Sequence, residues 1–151
     1  MNSFTYNPIF WILVSYAVGQ IVADYLLNRQ KVDWFENHNY LSDRHTKLLG
    51  ILLLGWLIRH TFMGWFNKKL KLKPSASNDD LMTLKNEMTS AEAGHLVAFY
   101  FLLIVNLAFI LYDLEWWYIV LFFLINVVFN MYLVLLQQYN KRRIDRLIKK
   151  Y

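Results

Sequence analysis

The chain has 151 residues and a formal net charge of +5, with 57% hydrophobic, 18% aromatic and 18% charged residues. That length fits one domain, and an apolar share above the roughly 45–50% of soluble domains excludes an ordinary soluble fold, disorder, collagen and a coiled coil. With no cysteine there is no disulfide scaffold, thiolate nucleophile or Cys-ligated zinc.

The apolar residues fall in blocks, which makes lipid the expected solvent and an all-α integral membrane protein, a single domain over 1–151, the expected fold. The first block runs from Pro8 to Leu27 and exits at Asn28-Arg29. No basic stretch precedes it and no small-residue cleavage site follows, so it is expected to be a retained helix and not a signal peptide. The second block, Leu48 to Phe66, is interrupted: its apolar run, Leu48 to Ile58, ends at Arg59-His60. It is either a fourth span or a re-entrant segment. The third block, His95 to Tyr112, and the fourth, Trp116 to Leu136, each approach the ~20 residues that a crossing helix needs. Only Asp113-Leu114-Glu115 separates them, which predicts a tight helical hairpin, and Trp116-Trp117-Tyr118 suits an interfacial belt.

The loop 73–80 reads as turn and linker, with Asp79 or Asp80 capping a helix that begins near Leu81. The tail 141–151 is basic, with Ile144, Leu147 and Ile148 at helical spacing, as expected of an amphipathic helix lying on anionic lipid. If all four blocks cross, 11 basic residues lie on the side of the C-terminus and 4 on the other. If the second block re-enters, all 16 lie on one side or in the re-entrant block, and in either case the positive-inside rule predicts a multi-pass protein of a bacterial-type inner membrane with its C-terminus cytoplasmic.

Polar residues form stripes inside the apolar helices. Taking Glu87 as the origin, His95 lies at about 80°, Asn106 at about 100° and Glu92 at about 140° around a helix, so the imidazole projects between two carboxylates. Asn126, Asn130, Gln137 and Lys141 share about 60° of the last helix, and Gln20, Asp24 and Asn28 recur every four residues in the first. Such faces point inward, and amides there also serve as helix-to-helix hydrogen bonds. A His beside a carboxylate suits general-base activation of a hydroxyl. Glu92-x-x-His95 has the spacing of a di-iron motif, but a second copy is absent, so no metal is expected. A small transport or assembly module with a proton- or ligand-binding Glu/His cluster is the alternative, and a homodimer suits a bundle this small. Nothing points to nucleic acid.

Two strings carry a resemblance. Glu87-Met-Thr-Ser-Ala-Glu92-Ala-Gly-His95 resembles the E-x4-E-x2-H signature of the glycosyl-4,4'-diaponeurosporenoate acyltransferases, small membrane enzymes of the staphyloxanthin type of carotenoid pathway. The stretch from Asn130 through Gln137, Tyr139, Asn140 and Arg143 to Ile144 is similar to their N-x6-Q-R-Y-N-R-x-R-L element, with Gln138 and Lys141 in place of arginines. The likeness is strongest from Glu87 onward and weak before it. It implies transfer of a fatty acyl group from acyl-CoA or acyl-carrier protein, as co-substrate and with no other cofactor, to a hydroxyl of a glycosylated lipid or carotenoid. His95 would be the base, with Glu92 or Glu87 orienting it. Asn130 and Gln137 would hold the sugar or the oxyanion, Tyr139, Asn140 and Arg143 would bind donor phosphate or a lipid head group, and Asp24 would stand at the same site.

Overall fold

In lipid each backbone amide must find its partner within its own segment, so apolar blocks with few charges become helices. The computed structural model describes residues 7–28, 35, 41–60 and 77–149. Every regular element among them is helical: α1 (Pro8–Asn28), α2 (Asp43–Leu48), α3 (Ile51–His60), α4 (Asn78–Leu111), α5 (Trp116–Asn126), a π-turn (Val127–Met131) and α6 (Tyr132–Ile148). The last three form one rod, Trp116–Ile148, and three helices are long and apolar enough to cross a membrane: α1, α4 and this rod. The expected all-α membrane fold is the one observed.

Proline at the first position of α1 gives up an amide that has no partner there, and Asn7 Oδ1 caps the Ile9 amide at 2.9 Å. Its length of 21 residues makes a helix of about 32 Å, one hydrocarbon thickness. The buried face is Ser15, Gly19 and Ala23, a small-residue stripe packed on α4. A Cβ at Gly19 would lie 2.4 Å from the Gly94 carbonyl oxygen, so only glycine lets the two backbones meet there. The outward face, with Ile9, Leu13, Tyr16 and Ile21, is exposed and suited to lipid.

Helix α4 starts at Asn78, ahead of the expected Leu81, because Ser77, and neither Asp79 nor Asp80, is the N-cap. Asp80 instead completes a capping box, its carboxylate accepting from the Ser77 amide at 2.9 Å. At 34 residues α4 is about 51 Å long, so part of it stands outside a bilayer core of about 30 Å. That projecting part packs against the end of α6, with Leu81, Leu84 and Met88 around Ile144, Leu147 and Ile148. Lys85 and Asp145 are paired at 2.7 Å. The apolar side of the tail is thereby packed on protein and not laid on lipid, because α4 offers it a complementary apolar face.

At the opposite end α4 turns into α5 through Tyr112–Glu115, as the spacing predicts, with Asp113 in the left-handed region at φ 53°. Phe109, Tyr118, Phe122 and Trp11 pack edge-on and tilted around this end. Asn106 Nδ2 donates to the Ile119 carbonyl at 3.1 Å, one of the helix-to-helix bonds expected of the buried amides.

The interrupted second block is broken further than its charges suggest. Gly50, at φ 67°, separates α2 from α3, which runs 10 residues, about 15 Å and half a bilayer. Helix α3 lies along α6, with Gly55 against Leu136. Residues 61–66 lie outside the described residues, and with them the choice between span and re-entry.

Candidate functional site

Helices α4 and α6 run antiparallel, and polar groups concentrate where α4 leaves its projecting part. Glu92 is 0% exposed. Its Oε1 accepts from Gln138 Nε2 at 2.8 Å, and its Oε2 lies 2.5 Å from Lys141 Nζ. Lys141, also buried, donates to the Phe35 carbonyl at 2.6 Å. The ammonium thus ties three stretches together: α4, α6 and the residue Phe35, whose ring packs with Ala23, Ala93, Leu96 and Val134. Charges this deep persist only when paired and hydrogen-bonded.

One turn further into the bundle, half-buried His95 places Nδ1 3.4 Å from Asn130 Oδ1, a long hydrogen bond. Asn130 Nδ2 donates to Asn126 Oδ1 at 2.8 Å, and Asn126 Nδ2 donates to the Phe99 carbonyl at 3.0 Å. The direction of this chain follows from its last member. A backbone carbonyl only accepts, so Asn126 must present its amide to Phe99 and its oxygen to Asn130. Asn130 then has its oxygen left for His95, which must donate from Nδ1. The neutral ring is held with its proton on Nδ1 and the Nε2 lone pair free, and Nε2 has no hydrogen-bond partner among the described residues. The π-turn Val127–Met131 carries Asn130 and lies between Asn126 and the Gln137–Lys141 stretch. Such single-turn insertions recur at functional sites.

This geometry corrects the expected partner of the imidazole. Neither carboxylate orients His95: Glu92 is bound to Lys141 and Gln138, and Glu87 is exposed on the projecting part of α4. The Glu92-x-x-His95 pair is split between two sets of partners for the same reason. Asn130 is engaged by His95 and Asn126, so its first task is to hold the ring. Gln137 is 8% exposed, and its Oε1 is a buried acceptor without a donor among the described residues. Tyr139 is half-buried with the Arg142 guanidinium 5.9 Å from its ring centre. Asn140 is half-buried, Arg143 is exposed, and Asp24 is exposed on α1 beside the buried stripe. The structure therefore joins His95 to Asn130, holds Glu92 on Gln138 and Lys141 in the neighbouring turn, and leaves Glu87 and Asp24 at the surface.

Lys141 and Gln138 are the partners of Glu92 that sequence reasoning missed. Lys141 had a signal: it shares the polar stripe of Asn126, Asn130 and Gln137, and a lysine in an inward stripe needs a carboxylate. The Phe35 carbonyl and the π-turn had none.

Comparison with known protein families places the chain. Residues 31–150 match the family described as glycosyl-4,4'-diaponeurosporenoate acyltransferase. The chain belongs to that family. The match reaches well upstream of Glu87, taking in α2 and α3 as well as the α4–α6 site, and stops short of α1. Membership makes the chain a membrane acyltransferase of the carotenoid-pathway type. No curated protein and no solved structure matches it.

Proposed function

We propose that the protein moves a fatty acyl group from an acyl thioester, acyl-CoA or acyl-carrier protein, to a hydroxyl of a glycosylated lipid or carotenoid. His95 Nε2 takes the hydroxyl proton as the oxygen attacks the thioester carbonyl. The carbon–sulfur bond breaks, an ester forms, and the proton on Nε2 passes to the departing thiolate. The observation that carries this reading is the one-directional chain from His95 through Asn130 and Asn126 to the Phe99 carbonyl, which leaves Nε2 as a base. Glu92 acts at one remove, by fixing α4 against α6 through Lys141 and Gln138. Gln137 Oε1 accepts from a second hydroxyl of the sugar, which would satisfy a buried acceptor otherwise costing about 1–3 kcal/mol.

Depth suits such a reaction. From Asp113 in the turn to His95 is 18 residues, about 27 Å, so the imidazole stands near the far boundary of the hydrocarbon. A water-borne thioester and a lipid-borne acceptor can meet there. The basic residues of the α6 end favour a cytoplasmic boundary. The test is product formation by the purified full-length protein from acyl-CoA and a glycosyl-carotenoid or glycolipid. His95→Ala should lower turnover about 10²–10⁴-fold while leaving the folded fraction unchanged. Turnover retained in His95→Ala would remove the base from this mechanism.

A further inference from the structure

Helix α1 carries a polar group that the mechanism above leaves unused. Gln20 is half-buried and makes no hydrogen bond with any described residue. Polar side chains inside spanning helices are costly and turn to the bundle interior, where they mark substrate paths. The nitrogen of this amide lies on the backbone of α4: a Cβ at Gly94 would fall 2.8 Å from Gln20 Nε2. Trp11 packs with Phe101 and Phe109, and Gly19 with Gly94 and Ala98, so α1 and α4 run antiparallel and Gln20 stands level with residues 94–98. Gln20 is one residue, about 100°, beyond Gly19, and His95 is about 100° beyond Gly94. In an antiparallel pair equal rotations turn both side chains to the same side of the contact. On α4 that is the side of the last rod, where His95 meets Asn130. On α1 it is the side of Leu27, about 80° from Gly19, which packs against the cluster holding Phe35 and Val134.

Acyl transfer leaves one charge unattended. As the hydroxyl oxygen bonds to the thioester carbon, the carbonyl electron pair moves onto its oxygen, and that oxyanion needs a donor aimed at it. Asn130 and Gln137, expected to hold it, are unsuited: Asn130 Nδ2 donates to Asn126, and the unpartnered atom of Gln137 is an acceptor. Gln138 donates to Glu92, and Lys141 is engaged by Glu92 and the Phe35 carbonyl. We propose that Gln20 donates from Nε2 to the oxyanion of the tetrahedral intermediate, on the same side of the α1–α4 pair where His95 takes the hydroxyl proton. The intermediate collapses as the pair returns to the carbon–oxygen bond, the carbon–sulfur bond breaks, and the thiolate takes the proton from His95. The inference rests on the acyl-transfer reading and extends its site to α1, which lies outside the family match over residues 31–150.

The experiment uses the full-length protein in phosphatidylcholine nanodiscs, with acyl-CoA and a glycosyl-carotenoid or glycolipid, and rates per folded molecule. Gln20→Met keeps the size of the side chain and removes the donor. Its kcat should fall about 10²–10³-fold with both KM values within about twofold, as loss of one oxyanion donor requires. An acyl-CoA analogue with a trifluoromethyl ketone in place of the thioester, whose hydrate mimics the intermediate, should lose affinity in the variant. A thioether analogue, which has no carbonyl, should bind as before. Gly94→Ala is the second variant: its Cβ pushes the Gln20 amide aside while standing 3.8 Å from the Gly19 carbonyl oxygen. It should lower kcat in the wild type and add nothing to Gln20→Met. Unchanged kcat in Gln20→Met, or equal weakening of both analogues, would overturn the proposal, since the amide would then be packing or a ground-state contact. So would Gly94→Ala losses of equal size in both backgrounds. Ester formed by the wild type and equally by Gln20→Met would sink the donor alone, whereas no ester from the wild type would sink the acyl-transfer reading with it.

Discussion

The two ends of the α4–α6 pair are built from the same helices and held together by opposite means. At the turn, rings do the packing: Phe109, Tyr118 and Phe122 close the space, and the Asn106 amide reaches across to the Ile119 carbonyl. At the other end a buried ion pair, a glutamine contact, an asparagine contact and an imidazole occupy the equivalent interface. In lipid the apolar arrangement suffices for association. The polar end carries desolvated charge that packing does not require, which makes it the candidate site. On the proposed function, changes at the turn should touch packing alone, and changes at the polar end should also reach the chemistry.

The sharpest way to break the comparison is to unbalance the ion pair. Lys141→Met leaves Glu92 buried with only Gln138 as partner, and should cost about 3–5 kcal/mol in resistance to unfolding. Adding Glu92→Met to that variant removes the orphan charge and should restore much of the loss. If the double variant regains stability yet fails to form product, the pair is a positioning device for His95. If single and double variants unfold alike, the pair does not hold this end together.

A second, smaller effect separates close backbone approach from polar bonding. Gly19→Val brings a side chain onto the Gly94 carbonyl, where a Cβ already falls at 2.4 Å, and α1 must shift. Overpacking of this kind costs about 1–3 kcal/mol. Because Gly94 sits one residue before His95, the shift should also lower turnover, whereas Leu13→Val, on the exposed face of α1, should alter neither. Thermal unfolding in detergent together with initial rates checks both.

Much of this was legible in the residues. Block lengths and the Asp113–Glu115 turn fix the spans of α1, α4 and the last rod, because hydrocarbon thickness sets how many apolar residues a helix needs. The inward direction of the Asn126–Asn130–Gln137–Lys141 stripe follows from the same constraint. The partners within the stripes did not follow. Helical angles measured along α4 alone put Glu92 and Glu87 beside His95, but a side chain in a bundle is claimed by the facing helix. Lys141 reaches across to Glu92, and Asn130 reaches across to His95. The π-turn shifts the phase of α6 relative to the start of its rod, which an unbroken helical period could not anticipate. Likewise Ile144, Leu147 and Ile148 announce an apolar face, and only the overhang of α4 decides that protein covers it.

The smallest effect is also the finest discriminator. Asn106 and Asn126 each donate one bond to a backbone carbonyl on the other helix, at 3.1 and 3.0 Å. Interhelical bonds in membranes are worth about 0.6 kcal/mol on average, so Asn106→Leu should destabilise the protein little, and Asn126→Leu, which also takes the acceptor from Asn130 Nδ2, somewhat more. Their chemistry should differ. Asn106 ends at the Ile119 carbonyl and serves packing alone, so its loss should leave turnover per folded molecule unchanged. Asn126 sets the direction of Asn130, and hence the proton on Nδ1 of His95. Without it Asn130 is free to turn its amide group toward the ring, which then accepts at Nδ1 and carries its proton on Nε2. A base in that tautomer has no lone pair for the acceptor hydroxyl. Turnover should therefore fall in Asn126→Leu with the acceptor KM little changed, and equal turnover in the two variants would mean that the amide chain is packing at both ends.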